Sequence, residues 1–201
     1  RVFVEPWKNA GNAASGLGVY PAVLSNVDAM DTGAVYLYQR EASGWRLQAF
    51  SKPPQDLGVG NYGKSVALDG DGLVLAVGAP DTDVDLQGQL DRANFGNSGS
   101  VHMLRLSQGL WTPWGPPLRA PAPQRNDQFG LTLALSANGQ TLAVGTIEED
   151  HSGVGVAASE SAVFNTYSGS AYAFRRHGDS WGAATVLEPS DRRTDGQDTP
   201  R

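Results

Sequence analysis

Asp81-Thr-Asp83-Val-Asp85 sets three carboxylates at alternate positions, with Gly88 and Asp91 just downstream. Calcium loops use this spacing, because a hard cation needs several oxygens delivered by a short bend of chain. The competing reading is a solvated acidic loop. Histidine offers less: His102, His151 and His177 share no spacing, and a zinc site needs three or four converging ligands. No Gly-x-Ser-x-Gly elbow is present to expose a nucleophilic serine. Gly16-Leu-Gly18 and Gly153-Val-Gly155 precede no helical pattern, so they read as loop glycines and not as phosphate cradles. Catalytic residues are therefore not nominated, and the chain reads as a non-enzyme whose one cofactor candidate is calcium at Asp81, Asp83 and Asp85.

The elements that would position these residues repeat. Gly33-Ala-Val-Tyr-Leu-Tyr38 returns as Gly99-Ser-Val-His-Met-Leu104 and Gly169-Ser-Ala-Tyr-Ala-Phe174, at spacings of 66 and 70 residues. Trp45, Trp111 and Trp181 follow the three copies at the same two spacings. Tyr62-Gly63 and Phe129-Gly130 open two copies. A Leu-Ala-Val-Gly segment follows each opener (75–78 and 142–145), and Val2-Phe-Val-Glu5 is a worn third version. Such a fixed-order recurrence means one supersecondary unit used repeatedly.

Read through the middle copy, the unit is four antiparallel strands. Residues 62–69 alternate apolar and polar, as a strand facing a core on one side does. Gly70-Asp71-Gly72 supplies a tight hairpin. Residues 73–78 are apolar on both faces, the mark of a strand held between layers. The third strand runs 99–106. The fourth, near 114–118, carries prolines and is expected at a solvent edge. A single such sheet cannot cover both its faces, so copies must stack, and stacking around an axis gives a β-propeller. A β-sandwich would not explain the return of the whole pattern. The expectation is all-β: an incomplete propeller of about 11 strands in this chain. It divides as a blade at 1–53 lacking its first strand, complete blades at 54–121 and 122–190, and a tail or linker at 191–201. Closely approaching glycines are expected where strand three begins and strand two ends.

Asn61-Tyr-Gly63, Asp127-Gln-Phe-Gly130 and Val77-Gly-Ala-Pro80 resemble FG-GAP repeats, the blades of integrin α-subunit propellers and of many bacterial surface proteins. The bacterial form is the nearer one, with Ser-Val-Ala-Leu-x-Gly-Asp-Gly, Leu-Ala-Val-Gly-Ala-Pro, Gly-Ala-Val-Tyr and a downstream Trp. Val144-Gly-Thr146 and Val4-Glu-Pro6 depart from it. The resemblance implies an extracellular, cell-surface or periplasmic propeller used in adhesion. It does not extend to the calcium hairpin of integrin-like members, which here is cut to Asp69-Gly-Asp-Gly72 and Ser136-Ala-Asn-Gly139.

Composition narrows the partners. The chain has 201 residues and a net charge of -6 with no basic stripe, which excludes a nucleic-acid groove. No apolar run reaches the roughly 18–20 residues of a membrane span. The absence of cysteine excludes disulfides. The chain opens with Arg1 rather than Met and shows no signal peptide, so an upstream segment is expected to have been removed or left out. Three long connections between strands two and three, 6–32, 80–98 and 147–168, fall on one face by topology and differ in sequence. That face is the expected contact surface for a protein or glycan, with Trp7, Tyr20, Phe95, Phe164 and Tyr167 as contact residues. Trp7 and Trp114 lie outside the repeat and are expected to be exposed. Trp45, Trp111 and Trp181 are expected to wedge between blades, and His102 to be a packing position with one hydrogen bond. Two further readings stand beside adhesion: an assembly subunit whose open edges another chain completes, and a hydrolase or lyase. The latter would need converging carboxylates or histidines near an axis, and the sequence offers none.

Overall fold

The computed structural model describes residues 2–6, 18–20, 33–53, 60–147, 155–157 and 169–188. The chain is all-β, 52% strand and 3% helix, so the expected fold class holds at that level. The first sheet joins β1 (Val2–Pro6), β2 (Gly18–Tyr20), β3 (Val35–Glu41) and β4 (Gly44–Lys52) in the order β1-β3-β4-β2. The second is a simple meander of β5 (Ser65–Leu68), β6 (Val74–Ala79), β7 (Ser100–Ser107) and β8 (Leu110–Pro113). The third runs β11 (Gly155–Ala157), β14 (Thr185–Glu188), β12 (Ala171–His177), β10 (Thr141–Gly145), β9 (Thr132–Leu135), with β13 (Ser180–Trp181) beside β12. The only described helix is α1 (Arg92–Phe95), one turn long. All ladders between these strands are antiparallel, and the described sheets do not close a ring.

The sheets stack in chain order, and β6 shows how. Its six residues are all buried. Leu75, Val77 and Ala79 pack with Val35, Leu37 and Ala49 of the first sheet, while Val74 and Ala76 pack with Leu142, Val144, Tyr172 and Phe174 of the third. A strand with period-two side chains and two apolar faces can be satisfied only by a neighbour on each side. β5 does the same more weakly, Val66 and Leu68 toward one cluster and Ala67 toward the other. The one-sided core expected for it is therefore corrected to two.

The junctions are made by the openers. Tyr62 forms a parallel bridge to Gly33, and Phe129 an equivalent one to Gly99. Gly33 (φ 75°) and Gly99 (φ 87°) sit in the left-handed region, and a Cβ on either would collide with the opener's backbone. Gly78, at the end of β6, leaves the same room for Gly130 and Ser65. Both opener rings are buried and turn an edge to strand three of their own sheet, Tyr62 to His102 at 5.2 Å and Phe129 to Tyr172 at 5.3 Å.

Three expectations are corrected. Among the described residues there are 14 strands where about 11 were expected, because β2 and β11 arise inside long connections and the third sheet's last strand splits in two. Consequently the fourth strand is not the outer edge of the first and third sheets: β2 pairs with 50–52 of β4, and β11 with 186–188 of β14. In the second sheet the corresponding stretch contains Pro116 and Pro117, just before the bridge Val101–Leu118, and proline cannot donate to an added strand. Lastly, Pro6 pairs with Val35 as Gly78 pairs with Val101 and Gly145 with Ala171. The worn first copy thus sits one residue out of the register its sequence suggests.

Candidate interaction surface

Residues 80–98 form the one strand two-three connection described throughout, and they fold on themselves. Val84 bridges Leu90 to make a small hairpin. The Asp85 side chain closes its turn by accepting the amides of Gln87 (2.9 Å) and Gln89 (2.8 Å), and its amide donates to the Gln89 carbonyl at 2.9 Å. Asp91 accepts from Asn94 Nδ2 at 2.8 Å and caps α1 by accepting the Asn94 backbone amide at 3.2 Å; these bonds, the side-chain one foremost, hold the Asp91 carboxyl below its ordinary pKa. Buried Asp83 anchors the base, accepting from Arg92 Nε at 2.7 Å and from the Asn97 amide at 2.9 Å. Ser98 Oγ donates to the Thr82 and Val84 carbonyls, and the Gly99 amide to that of Thr82. The loop is therefore built as a rigid projection, with Leu86 (52%) and Leu90 (53%) exposed on it.

Asp81, Asp83 and Asp85, the expected calcium ligands, are not brought together. Asp81 accepts from Asn61 Nδ2 and Gln128 Nε2, Asp83 from Arg92 and Asn97, and Asp85 from its own turn. Among the described residues no three His, Asp or Glu side chains are placed to hold a metal. The alternate spacing does not converge because each carboxylate is drawn to a different set of donors. Of the expected contact residues, Phe95 ends α1 and is half-buried, and Tyr20 ends β2. Trp7, Phe164 and Tyr167 lie outside the described residues, as do His151 and the 191–201 tail.

Beneath the loop runs a buried polar chain. Thr82 Oγ1 donates to the Ala79 carbonyl and to Ser100 Oγ, which in turn meets His102 Nε2 at 3.2 Å. Tyr62 OH and Ser51 Oγ lie 2.8 Å apart. Burial drives the His102 pKa down to about 3, with the Arg119 charge adding to the effect. Burial likewise raises Tyr62 and lowers Lys52 and Arg119, the last against the pull of Asp85. His102 is the expected packing residue, buried at 2% exposure with its ring hydrogen-bonded to Ser100 Oγ.

The repeated tryptophans divide. Trp111 is buried against the first sheet and donates Nε1–H to Gln48 Oε1 at 3.0 Å. Trp181 packs into the junction of the second and third sheets. Trp45 is 51% exposed. Trp114 corrects its expectation: it is a core residue, 6% exposed, set edge-on to Trp181 at 6.3 Å. No protein-family model matches the chain, and no curated protein matches it.

Proposed function

We propose that this chain is a non-enzymatic interaction module: blades of an FG-GAP-type β-propeller, acting at the cell surface, extracellularly or in the periplasm. It binds a protein or glycan through the connections between strands two and three. The propeller reading is supported by the identical Gly33–Tyr62 and Gly99–Phe129 junctions, which turn each sheet against the next in the same way. One observation carries the binding reading. The 80–98 connection is hydrogen-bonded into a fixed shape, yet it leaves Leu86 and Leu90 in water. Preorganised apolar projections bind with little ordering cost. The test is to present the immobilised chain to purified matrix proteins and a glycan array, beside a Leu86→Ser/Leu90→Ser variant. The reading expects at least one saturable interaction that the variant weakens about tenfold or more, which corresponds to about 1.4 kcal/mol. Equal binding by both chains, or no binding to either panel, overturns it.

A second reading, an assembly subunit completed by another chain, is favoured by Trp45. The residues at its position in the other copies fill a junction, while Trp45 stands half-exposed. Sedimentation would separate the two readings: self-association lost on Trp45→Ser supports assembly, and a monomer at all concentrations supports a lone module.

A further inference from the structure

The outer part of the junction between the second and third sheets has more donors than acceptors. The guanidinium carbons of Arg105 and Arg176 lie 5.4 Å and 5.0 Å from the centre of the Trp114 indole. Trp181 meets the same indole edge-on. Within this one cluster Trp114 Nε1, Trp181 Nε1 and Arg105 Nε are all buried without a hydrogen-bond acceptor. Among the described residues the one carboxylate paired with this cluster is Asp179, 3.1 Å from Arg105 Nη1 and 85% exposed, and Arg176 has no described ion pair. Two cations on one aromatic ring, facing a single weakly held carboxylate, leave a positive surplus in a chain whose net charge is -6. Buried donors without acceptors are rare and mark a place where an acceptor is missing.

We infer that the Arg105–Trp114–Arg176–Trp181 cluster is a binding site for an oxyanion, a sulfate or carboxylate group, which Arg176 holds in a forked hydrogen bond and for which Asp179 competes at Arg105. Guanidinium matches the planar pair of acceptor oxygens such groups present, and it keeps its charge at all relevant pH. The arginines, His177 and the hairpin at Asp179 lie at the opposite end of the sheets from residues 80–98, so this site is independent of the loop surface. The probe is inorganic sulfate, titrated at constant ionic strength against chloride, while the five indole N–H resonances are followed by NMR. Sulfate is expected to shift the Trp114 and Trp181 resonances saturably, and chloride is not. Arg176→Lys should remove saturation while keeping the charge and the fold. Asp179→Asn should tighten sulfate about two- to fivefold by freeing Arg105. Overturning outcomes are equal, unsaturated shifts in both salts (an adventitious ion only), or an Asp179→Asn affinity no tighter than the parent's.

Discussion

Replacing Gly99 with alanine tests the junction itself, because Gly109 provides a matched control. Both residues have left-handed backbones, φ 87° at Gly99 and 79° at Gly109, so alanine carries a similar conformational strain at each, about 1–2 kcal/mol. Their surroundings differ. A Cβ at Gly109 meets nothing within 4 Å, whereas at Gly99 it falls 2.9 Å from the Phe129 carbonyl carbon and closer still to that residue's oxygen and amide nitrogen. Backbone cannot swing aside as a side chain can, so the opener must move and take the next sheet with it. Overpacking of this kind costs about 1–3 kcal/mol beyond the strain. Gly99→Ala should therefore lose about 2–5 kcal/mol and Gly109→Ala about 1–2, from a total that is about 5–15 for a typical domain. Urea unfolding followed by fluorescence would report the difference in midpoint at constant slope. Equal midpoints for the two variants would mean that the Gly99–Phe129 approach is not tight, and the account of stacked sheets would fail with it.

Trp111→Ala should cost about 3–5 kcal/mol by emptying a core position, while Trp45→Ala at the same repeat position should cost about 1 kcal/mol or less; denaturant midpoints decide. His102 is neutral when folded and has a depressed pKa, so the unfolded chain binds the extra proton between about pH 6.5 and about 3. Stability should fall as pH drops through that window, by at most about 1.4 kcal/mol per unit, and His102→Tyr should flatten this part of the profile, as midpoints at stepped pH would show. Calcium at about 1 mM, in the range extracellular modules use, should leave the melting temperature unchanged, because Asp81, Asp83 and Asp85 are each engaged locally. A rise in melting temperature that chelator reverses would refute that.

Legibility followed the length of the pattern. Strands of five or more residues with opener, glycine and tryptophan punctuation were readable because three copies could be compared, and the stacking of β6 followed from its unbroken apolar run. β2 and β11 were not readable, since three residues cannot show a period. Their shared Gly-Val opening (Gly18-Val19 and Gly155-Val156) is the one available signal, and in sequence it is indistinguishable from loop glycine. Trp114 was missed for another reason. The stretch that carries it varies in length between copies, so counting residues could not reveal that it packs against Trp181. The aspartates show the limit of spacing arguments: alternate positions converge only if the backbone curves around a centre, and hydrogen bonds to Asn97, Gln87 and Gln89 bend it otherwise.

The repeats also differ in a way that bears on what could join them. Leu142 and Val144 of the third sheet face back toward the second, as Leu75 and Val77 face back toward the first. The forward-facing set is not kept. Where the second sheet offers Val74, Val101 and Met103 to its neighbour, the same register positions of the third hold Thr141, Ala171 and Ala173, which are half-buried, and Ala143 between them is exposed. Stacked sheets sit about 10 Å apart, and interiors tolerate little void in that layer. Threonine and alanine cannot fill a space that valine and methionine fill. Anything covering the third sheet must therefore bring the bulk itself.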